Sequence, residues 1–173
     1  MATVRSWSLK ARAIALLANR EHSRSELGRK LLRMARAQAL KERQALGEAA
    51  ADDADAVSAA DLTASVDALL DWLQAQGYLS EARFIESRVN ARAPRYGNLR
   101  IQQELSQHGV APDEASHLRL KQTELARARQ VWQRKFGQLA LDAAGRAKQM
   151  RFLAGRGFSS EVIRKLVRGG DED

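Results

Sequence analysis

The chain has 173 residues, 45% hydrophobic but only 5% aromatic, with two prolines, no cysteine and a formal charge of +8. That length holds one ordinary domain or several small units with shared cores, and the lack of cysteine excludes disulfides, thiolate nucleophiles and cysteine-ligated zinc. Ala, Leu, Arg, Gln, Glu and Lys dominate, all strong helix formers, and no window alternates like a strand, so the expected fold class is all-α.

The first predicted helix spans 8–20, with Leu9, Ala13, Leu16 and Leu17 on one face. The second starts at the capping box Ser23-Arg24-Ser25-Glu26, in which a serine oxygen and a glutamate each satisfy a free backbone NH. Its apolar face is Leu27, Leu31 and Met34, and its alanine-rich continuation is able to carry helix to about Leu46. From Ala39 to Asp61 periodicity fades around Gly47 and the Asp52-Asp53-Ala54-Asp55 run, which predicts a disordered acidic insertion. Leu62, Val66, Leu69, Leu70 and Leu73 then give the clearest amphipathic helix of the chain. A short helix over 80–91 carries Phe84, Ile85 and Val89 and ends before Pro94, because the residue preceding proline avoids helical angles. Further helices are predicted over 97–108, over 112–120 with Pro112 in the first turn, from about Leu125 to Phe136, over 141–156 and over 159–167. These nine helices group as three sets of three over 8–76, 80–121 and 123–168, the first interrupted by the insertion at about 39–61.

One punctuation recurs. Leu73–Gly77–Tyr78, Leu105–Gly109–Val110 and Leu153–Gly157–Phe158 each place glycine where a helix ends in the left-handed conformation. In the Schellman geometry the apolar residue after the glycine packs back on the leucine. Glu81, Glu114 and Glu161 follow, each suited to the positive end of the next helix dipole. Repetition at this spacing points to stacked helical units, which are usually binding surfaces.

Charge is uneven. Between Arg43 and Arg83 there is no Lys or Arg but eight acids; outside that interval twenty-nine basic residues face thirteen acidic ones. Such a chain suits a polyanionic partner, nucleic acid or a nucleoprotein. No nucleophile–base set and no phosphate-binding glycine loop is present, and His22, His108 and His117 read as surface or capping residues rather than metal ligands, so no enzyme is expected. Trp72 and Trp132 lie near apolar helix faces and read as core. Tyr96, between Arg95 and Gly97, reads as exposed, either stacking on a base or capping a helix. Met1–Lys10 lacks a signal-peptide core, and no run reaches the roughly 18 apolar residues of a membrane span, so a soluble cytoplasmic protein without cofactor, metal or membrane contact is expected.

Four stretches carry a resemblance. Ser23-Arg24-Ser25-Glu26-Leu27-Gly28-Arg29-Lys30-Leu31 resembles the first-repeat signature of the RecX family of recombination regulators, and Gly77-Tyr78-Leu79-Ser80-Glu81-Ala82-Arg83-Phe84 its central signature. The run from Arg95-Tyr96-Gly97 to Leu105, with Gly109-Val110, resembles the second-repeat signature, and Arg151 to Ser159 the third. The four fall in order. The resemblance implies three tandem three-helix repeats, related to helix-turn-helix and winged-helix units, in an elongated rod. It also implies a monomer that binds the RecA recombinase and the groove of its DNA filament. That binding would suppress ATP hydrolysis, strand exchange, filament growth and cleavage of the LexA repressor, with weaker direct binding to single- and double-stranded DNA. The candidate contacts are Arg24, Lys30, Arg83, Arg88, Arg92, Arg95, Tyr96, Arg100, Arg146, Lys148, Arg151 and Arg156. The alternatives are a helix-turn-helix repressor, which would need a recognition helix and normally a dimer, or a nonspecific DNA-binding scaffold.

Overall fold

The computed structural model describes residues 8–46 and 58–168. All regular structure in them is helical: α1 Leu9–Asn19, α2 Arg24–Leu46, α3 Ala59–Ala75, α4 Glu81–Arg92, α5 Asn98–Gln107, α6 Glu114–Phe136, α7 Ala143–Gly155 and α8 Ser160–Arg168. None of these helices is long and apolar enough to cross a membrane. The chain divides into two compact units, Met1–Phe84 and Ile85–Asp173, and the division falls within α4.

In the N-terminal unit, α1, α2 and α3 enclose Ala13, Leu27, Leu31, Val66, Leu70, Leu73 and, just after α3, Leu79. Local rules set the helix starts. The Ser8 hydroxyl accepts the Ala11 N–H, and that of Ser23 accepts the Glu26 N–H at 3.2 Å. Ser58 and Asp61 form a reciprocal capping box at the head of α3. The acidic insertion is therefore shorter than the 39–61 expected. Residues 39–46, rich in Ala, Leu, Lys and Glu, continue α2, and Ser58 already begins α3. Its centre, with Gly47, Asp52, Asp53 and Asp55, lies outside the described residues, as do Trp7 and the tail from Gly169.

In the C-terminal unit, α6, α7 and α8 bury Ala128, Val131, Leu153, Phe158, Val162, Ile163 and Leu166, and α5 adds Ile101 and Leu105. Eight helices stand where nine were expected, because those predicted over 112–120 and 125–136 are the single helix α6. Nothing between Leu120 and Leu125 breaks a helix: Lys121-Gln122-Thr123-Glu124 holds no Gly or Pro, and the Thr123 hydroxyl donates back to the Arg119 carbonyl at 2.8 Å. Pro112 is not in the first turn; it precedes Asp113, whose carboxylate caps the helix by accepting the Ser116 N–H at 2.8 Å.

The glycine stops take the left-handed conformation, with φ of 74° at Gly77, 73° at Gly109 and 80° at Gly157. Gly137, φ 77°, ends α6 as a fourth. Val110 and Phe158 donate to the carbonyls of Leu105 and Leu153, both at 3.2 Å, and bury their side chains as the motif predicts. The first stop differs. Leu79, not Tyr78, donates to the Leu73 carbonyl and is buried, while Tyr78 stays 47% exposed and stacks on Trp72. One extra residue in this turn moves the inward position from 78 to 79.

Candidate nucleic-acid interface

The site starts from a proline. Pro94 ends α4, and the chain turns through Arg95 and Tyr96 to Gly97, the cap of α5. The Gly97 and Leu99 amides donate to the carbonyls of Arg156 (2.9 Å) and Gly157 (3.0 Å), which binds the start of α5 to the stop after α7. A Cβ on Gly97 would lie 2.2 Å from the Gly157 oxygen, so only glycine fits this approach. Tyr96 is thereby placed beside Arg156, sixty residues further along the chain.

A buried polar hub holds the turn from below. Arg127 donates to the carbonyls of Tyr96 (2.8 Å), Leu120 (3.0 Å) and Ala93 (3.3 Å) and to the Asn98 side chain. Glu124, 4% exposed, accepts from the Asn98 amide (3.0 Å), the Ser159 amide (3.2 Å) and the Ser159 hydroxyl (3.1 Å). Burial lowers the Arg127 pKa, and the Glu124 charge opposes that shift. Sequence reading passed over this hub. The available signal was Glu124 on the apolar face, in line with Leu120, Ala128 and Val131 at helical spacing.

Three guanidiniums surround the half-buried Tyr96 ring: Arg100 at 5.5 Å from its centre, Arg156 at 5.6 Å and Arg92 at 5.7 Å. Glu104 is the carboxylate among them, 2.7 Å from Arg92 and 3.6 Å from Arg100. The Arg92 contact is close but off the N–H axis, so it is an ion pair rather than a hydrogen bond. A polar groove along α4 and α5 holds these residues with Arg88 and His108. A second groove holds Pro94, Arg95, Arg134, Lys135, Phe152 and Arg156 beside Tyr96.

The structure thus brings Arg88, Arg92, Arg95, Tyr96, Arg100 and Arg156 into one region, and Arg134 and Lys135 of α6 join them. Arg146 instead holds the loop before α7 through the carbonyls of Ala140 and Leu141, and Lys148 and Arg151 lie exposed on α7. The remaining candidates are in the N-terminal unit and sit on acids. Arg24 pairs with Asp71 at 2.8 Å and bonds Gln74. Arg83 pairs with Glu21 at 2.7 Å and clamps the Gly77 and Tyr78 carbonyls. Lys30 lies 3.4 Å from Glu26, which also binds Arg20.

His22 corrects the expectation of a surface histidine, for it is 1% exposed. Lys30 can only donate, so Nε2, 3.0 Å away, accepts and Nδ1–H donates to the Arg20 carbonyl at 2.9 Å. Burial lowers the His22 pKa, and the charges of Arg20 and Lys30 lower it further. Burial alone would raise Glu26, but the Arg20 hydrogen bond and the surrounding positive charge hold its pKa down to about 2. The signs agree: both groups stabilise the unit at neutral pH. The His22 contribution falls as pH drops below its ordinary value near 6.5, and the Glu26 contribution falls from about 4.5 toward 2, each by at most about 1.4 kcal/mol per pH unit. Melts of wild type and His22→Gln from pH 8 to 5 should converge as pH falls; parallel curves would show that His22 is not the titrating group.

The family model described as RecX, third three-helix domain, matches residues 122–167, and that described as RecX, second three-helix domain, matches 80–117. "Regulatory protein RecX" of Herminiimonas arsenicoxydans is 48% identical over 168 residues, covering 96% of this chain and 95% of that protein. The protein of the same description from Ralstonia nicotianae is 42% identical, covering 95% and 89%, and that from Leptothrix cholodnii 44%, covering 96% and 91%.

Proposed function

The chain belongs to the RecX family, and from that premise we propose that it is a non-enzymatic regulator of homologous recombination and the SOS response. It acts as a cytoplasmic monomer. It binds the RecA recombinase and lies in the groove of the RecA–DNA filament, inhibiting ATP hydrolysis, strand exchange and filament growth. The observation that carries this reading is similarity over nearly the whole length of proteins described as regulatory protein RecX. The arginine-ringed Tyr96 region supports it, because a recombinase–DNA filament is a polyanion and a fixed basic surface speeds docking in a salt-sensitive way. A regulator of this kind needs no chemistry of its own. It has only to favour one filament geometry and obstruct the incoming duplex.

The test is ATP hydrolysis by recombinase on single-stranded DNA. Turnover is expected to fall as the protein is added and to recover with salt; unchanged turnover at excess protein would overturn the proposal. Arg95→Ala combined with Arg100→Ala should raise the inhibitory concentration about tenfold, as expected for two exposed charge contacts of about 0.7 kcal/mol each. The melting temperature should stay near wild type, because both side chains are exposed.

A further inference from the structure

In the N-terminal unit the cations that brace the turns rest on carboxylates: Arg20 and Lys30 on Glu26, Arg24 on Asp71, Arg83 on Glu21. The groove beside Tyr96 is built differently. Arg134 donates to the Pro94 carbonyl at 2.6 Å and to that of Gln130 at 3.2 Å. Arg156 donates to the Arg95 carbonyl at 3.3 Å and lies over the rings of Tyr96 and Phe152. A carbonyl or a ring fixes a guanidinium in place and leaves its charge intact, whereas a carboxylate cancels it. Arg95 and Lys135, both exposed, complete the wall, and no Asp or Glu lines it. Four positive charges are therefore gathered around one groove without a local counter-charge.

The floor of the groove is apolar, made by Pro94, Val131 and Phe152, and its volume of about 480 Å³ is that of a small-ligand cleft. Positive walls over an apolar floor match a nucleotide, whose phosphate is charged and whose base offers a flat apolar face. An acidic peptide would satisfy the walls and leave the floor unused. A duplex keeps its bases stacked inside and offers only phosphates.

We propose that this groove binds single-stranded nucleic acid, taking phosphodiester oxygens on Arg95, Arg134, Lys135 and Arg156 and one base against the Pro94–Phe152 floor. The proposal deepens the functional reading above by naming a direct nucleic-acid contact. Its test contains no recombinase, so either reading can fail alone.

The full chain is titrated into a fluorescein-labelled oligothymidylate and followed by anisotropy at several salt concentrations. Arg95→Gln with Lys135→Gln should weaken binding about tenfold and lower the salt slope by about 1.4, for two single-strand phosphates lost. The melt should be unchanged, since both side chains are exposed. An abasic deoxyribose-phosphate strand of equal length should bind at least about fivefold more weakly, the size of one lost base contact. Wild-type affinity in the double variant would overturn the site, and equal affinity for the abasic strand would overturn the base contact. Equal affinity for a duplex of the same length, or displacement of the oligomer by polyglutamate of equal charge, would overturn the single-stranded assignment.

Discussion

Replacing Gly97 with alanine should lower the melting temperature of the C-terminal unit by roughly 15–30 °C, whereas the same change at Gly77 should cost only about 1 kcal/mol. The two glycines are required for different reasons. Gly77 has a left-handed φ of 74° and open space where a Cβ would stand, so alanine there meets backbone strain alone. Gly97 has an ordinary extended backbone, but its Cβ would lie 2.2 Å from the Gly157 oxygen and 2.3 Å from the Phe158 Cα. Both obstacles are backbone and cannot rotate away. The start of α5 must then separate from the stop after α7, losing the two amide–carbonyl bonds that join them and the packing around Phe158. Two hydrogen bonds at about 1 kcal/mol each, with overpacking of about 1–3 kcal/mol, give a loss of about 3–5 kcal/mol. In a unit of this size each kcal/mol moves the midpoint by about 4–8 °C. Calorimetry of both variants checks the contrast; equal shifts would mean that the close approach does not matter.

Glu124→Ala should be nearly as damaging, at about 3–5 kcal/mol, and Glu124→Gln milder, at about 1–3 kcal/mol. The alanine variant strands the Asn98 and Ser159 amides and leaves the buried Arg127 guanidinium without its nearby negative charge. Glutamine keeps an oxygen for the amides and loses only the charge. Because Arg127 holds the Tyr96 carbonyl, and Asn98 begins α5, the hub decides where the Tyr96 ring sits. Glu124→Gln should therefore weaken oligothymidylate binding at a temperature where the protein is still folded. Chemical unfolding with the same anisotropy titration measures both effects. A Gln variant as unstable as Ala would show that the charge, rather than the oxygen acceptor, holds the turn.

Helix caps and stops were legible because their causes are local. Ser8, Ser23 and Asp113 cap the nearest free amides, and glycine at 77, 109 and 157 takes the angles that end a helix. Continuity was less legible. The helix α6 crosses a point where the grouping into threes called for a break but the residues supplied none. Tyr78 was misplaced because a turn longer by one residue turns a different side chain inward, and a motif does not encode that length.

The candidate site divides along the same line. The sequence by itself determined the all-α class, the family and the stretch Arg95-Tyr96-Gly97, since periodicity, capping and a signature are properties of neighbouring residues. Tertiary structure decided which charges remain uncancelled. Arg83 lies on Glu21, 62 residues away, and is neutralised; Arg156 lies on the Arg95 carbonyl, 61 residues away, and keeps its charge. Both are arginines of the family signatures, and nothing within either segment distinguishes them. What differs is the partner that folding brings to each guanidinium, a carboxylate in one case and a neutral carbonyl in the other.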